Sequence, residues 1–87
     1  EADLSFTDMF CANLEWSDSD QLNFFRADLT RANLGGADLV GANFTGANLT
    51  GANLAQSTLT GALVDGANFS GAIFCDVTLP NGRSHKS

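Results

Sequence analysis

The sequence predicts a four-sided β-solenoid, and two observations lead to that prediction. A five-residue unit recurs along the chain without a slip, as in Ala-Asn-Leu-Thr-Gly at 47–51 and Ala-Asn-Leu-Ala-Gln at 52–56. Each unit has a large apolar residue at its centre and usually a small residue two positions earlier. Self-similarity at a fixed period is typical of a fold built from stacked repeats.

The repeat covers almost the whole chain. It recurs sixteen times, and thirteen of the sixteen centres are Leu or Phe. The residue two places before the centre is Ala in eleven units. The centres are Leu4, Met9, Leu14, Ser19, Phe24, Leu29, Leu34, Leu39, Phe44, Leu49, Leu54, Leu59, Val64, Phe69, Phe74 and Leu79.

A period of five fits neither of the standard elements. On an α-helix, five residues rotate the side chain by about 500°, so successive centres would spiral around every face. On a flat strand an odd period would place successive centres on opposite faces. The pattern works only if each unit makes one short edge and one turn. Four such edges close a coil of about twenty residues, with every centre pointing inward.

The Ala-[Asp/Asn]-[Leu/Phe]-x-x units resemble those of the pentapeptide-repeat proteins. The resemblance covers residues 2 to 81, and sixteen units in register make it specific. It implies an all-β fold, a right-handed quadrilateral β-helix of about four coils. At ~4.8 Å for each stacked strand, the coils would stand roughly 19 Å tall. The segment from Phe74 to Gly82 also resembles the ends of cyanobacterial and chloroplast members.

Two parts of unequal length are predicted. Residues 1–81 form the β-helix, whose coils take residues 2–21, 22–41, 42–61 and 62–81. Pro80 removes a backbone donor and Asn81-Gly82 is a turn pair, so the repeat ends there. We expect the polar tail at 82–87 to be disordered.

The first coil is irregular and supplies a candidate interaction patch. Its outward positions carry Phe6, Phe10 and Trp16, where later coils hold mostly small or polar residues. Phe25 and Arg26 extend the patch into the second coil, where stacking would bring Arg26 within cation–π distance of Phe6. The aromatic residues either cap the end of the rod, as terminal repeats often do, or form a docking surface. Homo-oligomerisation through the first coil is one form that such docking would take.

Composition argues against several classes of partner. The net charge is −6, whereas direct binding to nucleic acid or to an anionic membrane surface needs basic patches. Eight of the ten acidic residues lie in the first forty positions. The chain contains no apolar run long enough to span a membrane, so we expect no membrane insertion.

Neither catalysis nor a bound cofactor is expected. The single histidine, His85, lies in the tail, and no convergent acid, base and nucleophile can be assembled. Stacking would pair Asp18 with Asp38 and Asp8 with Asp28, which would suit Ca²⁺. Solvated carboxylates are the simpler interpretation, so we predict no metal site. Asn and Asp at this position of the unit are explained as turn residues that hydrogen-bond nearby backbone.

The function predicted is that of a non-catalytic structural or protein-interaction module with a protein partner. The alternative is an acidic DNA mimic that binds a type II topoisomerase, a role that the resemblance implies for some pentapeptide-repeat proteins. The sequence does not decide the cellular compartment. It is the cytoplasm, or, if Glu1 follows a removed targeting segment, the thylakoid lumen or the periplasm.

Overall fold

The computed structural model describes residue 13, residues 22–81 and the short strand at 84–85. Isolated parallel β-bridges join positions twenty residues apart throughout, for example Asn23 to Asn43 and Asn43 to Leu63. Each coil therefore contains four units of five residues, as the sequence predicts. The first coil, apart from Asn13, lies outside the described residues.

Two kinds of backbone hydrogen bond build the coils. Between coils, the Phe24 N–H donates to the Asn43 carbonyl at 2.7 Å, and the Asn43 N–H donates to the Leu22 carbonyl at 2.9 Å. Within a unit, the Ala27 N–H donates to the Phe24 carbonyl at 2.9 Å and closes a turn. The same turn bond recurs in all the following units up to Val77. Each unit is therefore one short edge followed by one corner.

Each corner requires an unusual backbone conformation at the last residue of its unit. This residue has a positive φ at all eleven corners from residue 26 to residue 76. Glycine occupies seven of these positions, because it adopts positive φ without a steric penalty. The other four are Arg26, Arg31, Gln56 and Asp76, with φ between 54° and 62°.

The centres of the units fill the interior in columns. Phe24 and Phe44 stack with their ring centroids 4.9 Å apart and their planes 2° from parallel. The centres from residue 24 to residue 59 are buried, as is the small residue two places before each centre from Ala27 to Ala62. The predicted inward orientation of the Leu, Phe and Ala positions is confirmed for these coils.

The fourth coil is less completely covered than the second and third. Its centres Val64, Phe69, Phe74 and Leu79 are half-buried, and the Phe69 and Phe74 rings lie 5.5 Å apart. Each of these centres packs on the third coil, but none of the described residues stacks a further coil on the other side. The apolar contact per residue is consequently smaller at this end.

Two short strands end the described chain. Strand β1, Val77–Thr78, pairs antiparallel with strand β2, Ser84–His85. Two residues of the tail, for which the sequence predicts disorder, therefore extend one face of the fourth coil. The exact boundary between the β-helix and the tail stays a prediction.

Candidate interaction surface

The second residue of most described units holds the following corner in place. Its side-chain oxygen accepts the backbone N–H two residues later, at 2.9 to 3.2 Å in eight units. The predicted role of Asn and Asp as turn residues is therefore confirmed. Leu63 and Ile73 lack this oxygen and are the exposed large apolar side chains of the described region, at 54% and 49% exposure.

The most distinctive corner of the described chain carries Phe25 and Arg26. The Phe25 ring is half-buried, and the Arg26 guanidinium carbon lies 5.5 Å from its centroid. This geometry is a cation–π contact, which contributes roughly 0.5–1 kcal/mol at an exposed site. The sequence places Arg26 against Phe6; the described aromatic contact of Arg26 is with its own neighbour in the chain.

Arg31 occupies the next corner of the same coil. It too is exposed and has a positive φ, of 60°. Its side chain runs towards the third coil, because a Cβ built on Gly51 would lie 3.4 Å from the Arg31 Cγ. Arg26 does the same above Gly46, where the corresponding distance is 3.0 Å. Glycine corners in the third coil thus accommodate the arginine side chains of the second.

Three members of the predicted patch, Phe6, Phe10 and Trp16, lie outside the described residues. The structure therefore places only Phe25 and Arg26 of the five, and it brings these two into contact. Arg31 is an exposed neighbour that the predicted patch does not include. The signal that marks it is an arginine in the corner position that glycine usually fills.

The described acidic residues show no metal-binding arrangement. No group of three or more His, Cys, Asp or Glu side chains within residues 22–81 is arranged to hold a metal ion. Asp28 instead accepts hydrogen bonds from Thr30, at 2.6 Å from the hydroxyl and 3.1 Å from the backbone N–H. These bonds lower the pKa of Asp28 below its ordinary value of 3.8. Asp8 and Asp18, the other halves of the predicted carboxylate pairs, are outside the described region.

Among the described residues, no helix has the length and apolar character needed to cross a membrane.

The repeat, the coil of twenty residues and the filled interior together define a class of β-helical proteins. The family model for pentapeptide repeats matches residues 23–61 and 52–82, with eight copies of the repeat. The chain belongs to the pentapeptide-repeat family, and its fold is the right-handed quadrilateral β-helix. No curated protein matches the chain significantly.

Solved structures of cyanobacterial proteins are similar to this chain. One is the pentapeptide repeat protein Rfr23 from Cyanothece 51142, with 37% identity and a TM-score of 0.80 over 82% of this chain and 48% of that chain. Another is alr5209 from Nostoc PCC 7120, with 31% identity and a TM-score of 0.79 over 80% of this chain and 58% of that chain. The chain thus spans about half the length of these relatives. Their source agrees with the cyanobacterial character that the resemblance implied.

Proposed function

We propose that the chain is a non-catalytic protein-interaction module, and that the corner formed by Phe25 and Arg26 is part of its contact surface. The observation that carries the proposal is this corner. A half-buried aromatic ring and an exposed cation meet at a corner of the β-helix whose last position is glycine in seven of the eleven described corners. Aromatic and arginine side chains are enriched among the residues that contribute most to protein interfaces.

The rest of the contact surface is proposed to lie in the first coil. Phe6, Phe10 and Trp16 supply aromatic side chains at outward positions of the repeat. The partner is then either a different protein or a second copy of this chain docking through the same coil. Pentapeptide-repeat proteins are generally non-catalytic, which agrees with a binding role.

A pair of matched double variants tests the proposal. Phe25→Ser/Arg26→Gly removes the ring and the cation but keeps a residue suited to positive φ at the corner. Ala55→Ser/Gln56→Gly makes the same kind of change at another corner, where Gln56 also has a positive φ. Both variants should keep the thermal unfolding transition of the wild-type chain.

Two readouts then distinguish the two kinds of partner. Sedimentation velocity of the purified chain measures self-association, and affinity enrichment from a cyanobacterial extract with quantitative mass spectrometry measures capture of other proteins. We expect Phe25→Ser/Arg26→Gly to reduce one of these at least about tenfold, while the control retains both. If the two variants behave alike, the Phe25–Arg26 corner is not the contact surface.

The alternative, an acidic DNA mimic that binds a type II topoisomerase, draws on the net charge of −6. Residues 22–81 contain four acidic residues and two arginines, whereas residues 1–21 contain six acidic residues and no base. Any mimicry of duplex DNA would therefore depend on the first coil. A gyrase supercoiling assay with the purified chain tests it, and inhibition at micromolar concentration would favour this role over the one proposed.

A further inference from the structure

We propose that Arg26, Arg31 and Asn48 form one binding site for the acidic side chains of a partner protein. The inference rests on the proposed function, because Arg26 belongs to both surfaces, and it assigns the chemical class of the partner. Both arginines border the same face of the β-helix, the one that Asp28, Asn48 and Asn68 share through their parallel bridges. They sit at its two corners in the second coil, one five-residue unit apart.

The arginine side chains lean along the rod, towards the third coil. The Arg26 side chain passes over Gly46, where a built Cβ would meet its Cγ, Nε and Cδ at 3.0, 3.7 and 3.9 Å. The Arg31 side chain passes over Gly51 in the same direction. The residue between these two glycines on the shared face is Asn48, so the arginine side chains approach the third coil at the corners on either side of a neutral residue.

Asn48 presents a hydrogen-bond donor to solvent. Its Oδ1 accepts the Thr50 hydroxyl at 2.6 Å and the Thr50 backbone N–H at 3.0 Å. The Nδ2 group makes no hydrogen bond with the described residues, and the side chain is exposed. An acceptor placed over Asn48 therefore meets an amide donor on the face that the two arginine corners border.

Among the described residues, no carboxylate engages either guanidinium. Within the part of the chain that the structure describes, neither takes part in an ion pair, although Asp28 lies between the two arginines in the sequence. The Asp28 carboxylate is directed to Thr30, from which it accepts two hydrogen bonds. Within the described part of the chain, therefore, no carboxylate competes with an external anion for the two cations, although the Arg26 guanidinium also contacts the Phe25 ring.

The backbone at both arginines is also strained. A non-glycine residue in the left-handed region is disfavoured, yet Arg26 and Arg31 adopt φ values of 54° and 60° at successive corners. Residues held in this region cluster at functional sites, and Gln56 and Asp76 adopt it as well. Folding alone would be served better by the glycine that fills most of the other corners.

Carboxylates on a protein segment fit this site better than a nucleic acid or an anionic membrane surface does. The guanidinium fork matches a carboxylate in a bidentate geometry. A five-residue unit has an edge of about three extended residues, so the corners stand roughly 10 Å apart and suit two acidic side chains on one segment. Nucleic acid and anionic membranes need an extended basic surface, whereas the described residues hold two arginines in a chain of net charge −6.

An NMR titration of the whole 87-residue chain with a hexaglutamate peptide tests the site. We expect saturable shifts of the Nε–H signals of Arg26 and Arg31 and of the Asn48 side-chain amide. Arg26→Gly/Arg31→Gly should weaken binding at least about tenfold. Gln56→Gly, the matched change at a corner of positive φ without a charge, should leave binding unchanged.

Several results would overturn the proposal. The proposal is wrong if hexaglutamate does not shift the signals of Arg26, Arg31 and Asn48, or if Arg26→Gly/Arg31→Gly binds it as well as wild type does. Equal affinity for inorganic phosphate would make it a general oxyanion contact, and tighter binding of a duplex DNA oligonucleotide would make it a nucleic-acid surface. Arg26→Gln/Arg31→Gln keeps the aliphatic parts of the side chains against the glycines and removes only the charge. If this variant unfolds more readily, the arginines offset the chain's own acidic residues.

The two proposals fail in different ways. Loss of hexaglutamate binding with intact capture of a cellular partner overturns the acidic-segment site and leaves the interaction module. If hexaglutamate binds but Phe25→Ser/Arg26→Gly and Ala55→Ser/Gln56→Gly capture the cellular partner equally well, the proposed contact surface is overturned instead.

Discussion

The contact between Arg26 and Gly46 allows a quantitative test of how the coils pack at the corners. Gly46 has a φ of 69°, and a Cβ built there would lie 3.0 Å from the Arg26 Cγ. Gly61 has nearly the same φ, 72°, but the nearest atom to its built Cβ is the Gly41 backbone nitrogen at 3.9 Å. Replacing each by Ala imposes the same backbone penalty, about 1–2 kcal/mol in the left-handed region.

Gly46→Ala carries additional costs that Gly61→Ala does not. The Arg26 side chain must leave its rotamer, which costs of order 0.5–1.5 kcal/mol, and its contact with Phe25 is worth roughly 0.5–1 kcal/mol. We therefore expect Gly46→Ala to lower the free energy of unfolding by about 1–2.5 kcal/mol more than Gly61→Ala does. Urea denaturation followed by circular dichroism measures both differences.

A double-mutant cycle identifies the origin of the excess. In the Arg26→Gly background the added methyl group meets no side chain, so Gly46→Ala should cost no more than Gly61→Ala. The coupling between positions 26 and 46 should then equal the excess measured in the single variant. Equal costs for the two alanine variants in the wild-type background would refute the reasoning, as would an excess that persists without Arg26.

Two further predictions concern the interior and the Asn/Asp position. Leu49→Asp places an unpaired charge in a fully buried column and should prevent folding, since loss of a buried Leu side chain alone costs ~2–5 kcal/mol. The control Leu63→Asp changes a side chain that is 54% exposed, and circular dichroism should show that this variant folds normally. Thr30→Val should raise the pKa of Asp28 towards 3.8 in a carbon-detected NMR titration, because it removes the hydroxyl hydrogen bond to the carboxylate and leaves the backbone N–H bond in place; Thr50→Val, whose hydroxyl donates to Asn48, should leave this pKa unchanged. Because the folded-state pKa of Asp28 is lowered, the stability that its carboxylate contributes is present above pH 3.8 and is lost as the pH falls through the folded-state pKa. The difference in the free energy of unfolding between wild type and Thr30→Val should therefore shrink as the pH falls through that window. A difference that does not change with pH would contradict this linkage.

Much of the local structure could be predicted because each unit specifies its own edge and corner. The inward position of centres such as Leu39 and Phe44 follows from a period of five with one apolar residue in each unit. The hydrogen bond from a corner N–H to an Asn oxygen follows from the side-chain chemistry of Asn and its place in the unit. Neither inference needed a contact distant in sequence.

The candidate surface was harder to predict because its members come from different coils. A period of twenty residues places Arg26 next to Gly46 in the stacked coils, but it does not predict the direction in which the arginine side chain points. The sequence suggested Phe6, which lies outside the described residues, as an aromatic partner of Arg26, and it did not suggest the described contact with Phe25. Side-chain direction depends on rotamers at a corner of positive φ, and these are set by the neighbouring coil.

The sequence by itself determined the repeat, the four-sided coil, the buried columns and the family, because these depend on a pattern that each unit repeats. Only the tertiary structure decided how successive coils meet at the corners. It showed that Arg26 and Arg31 pass over glycines of the next coil, and that strand β2 at Ser84–His85 pairs with the last coil. The physical reason is that such contacts join residues which no single unit contains, so their energies depend on stacking and not on the repeat.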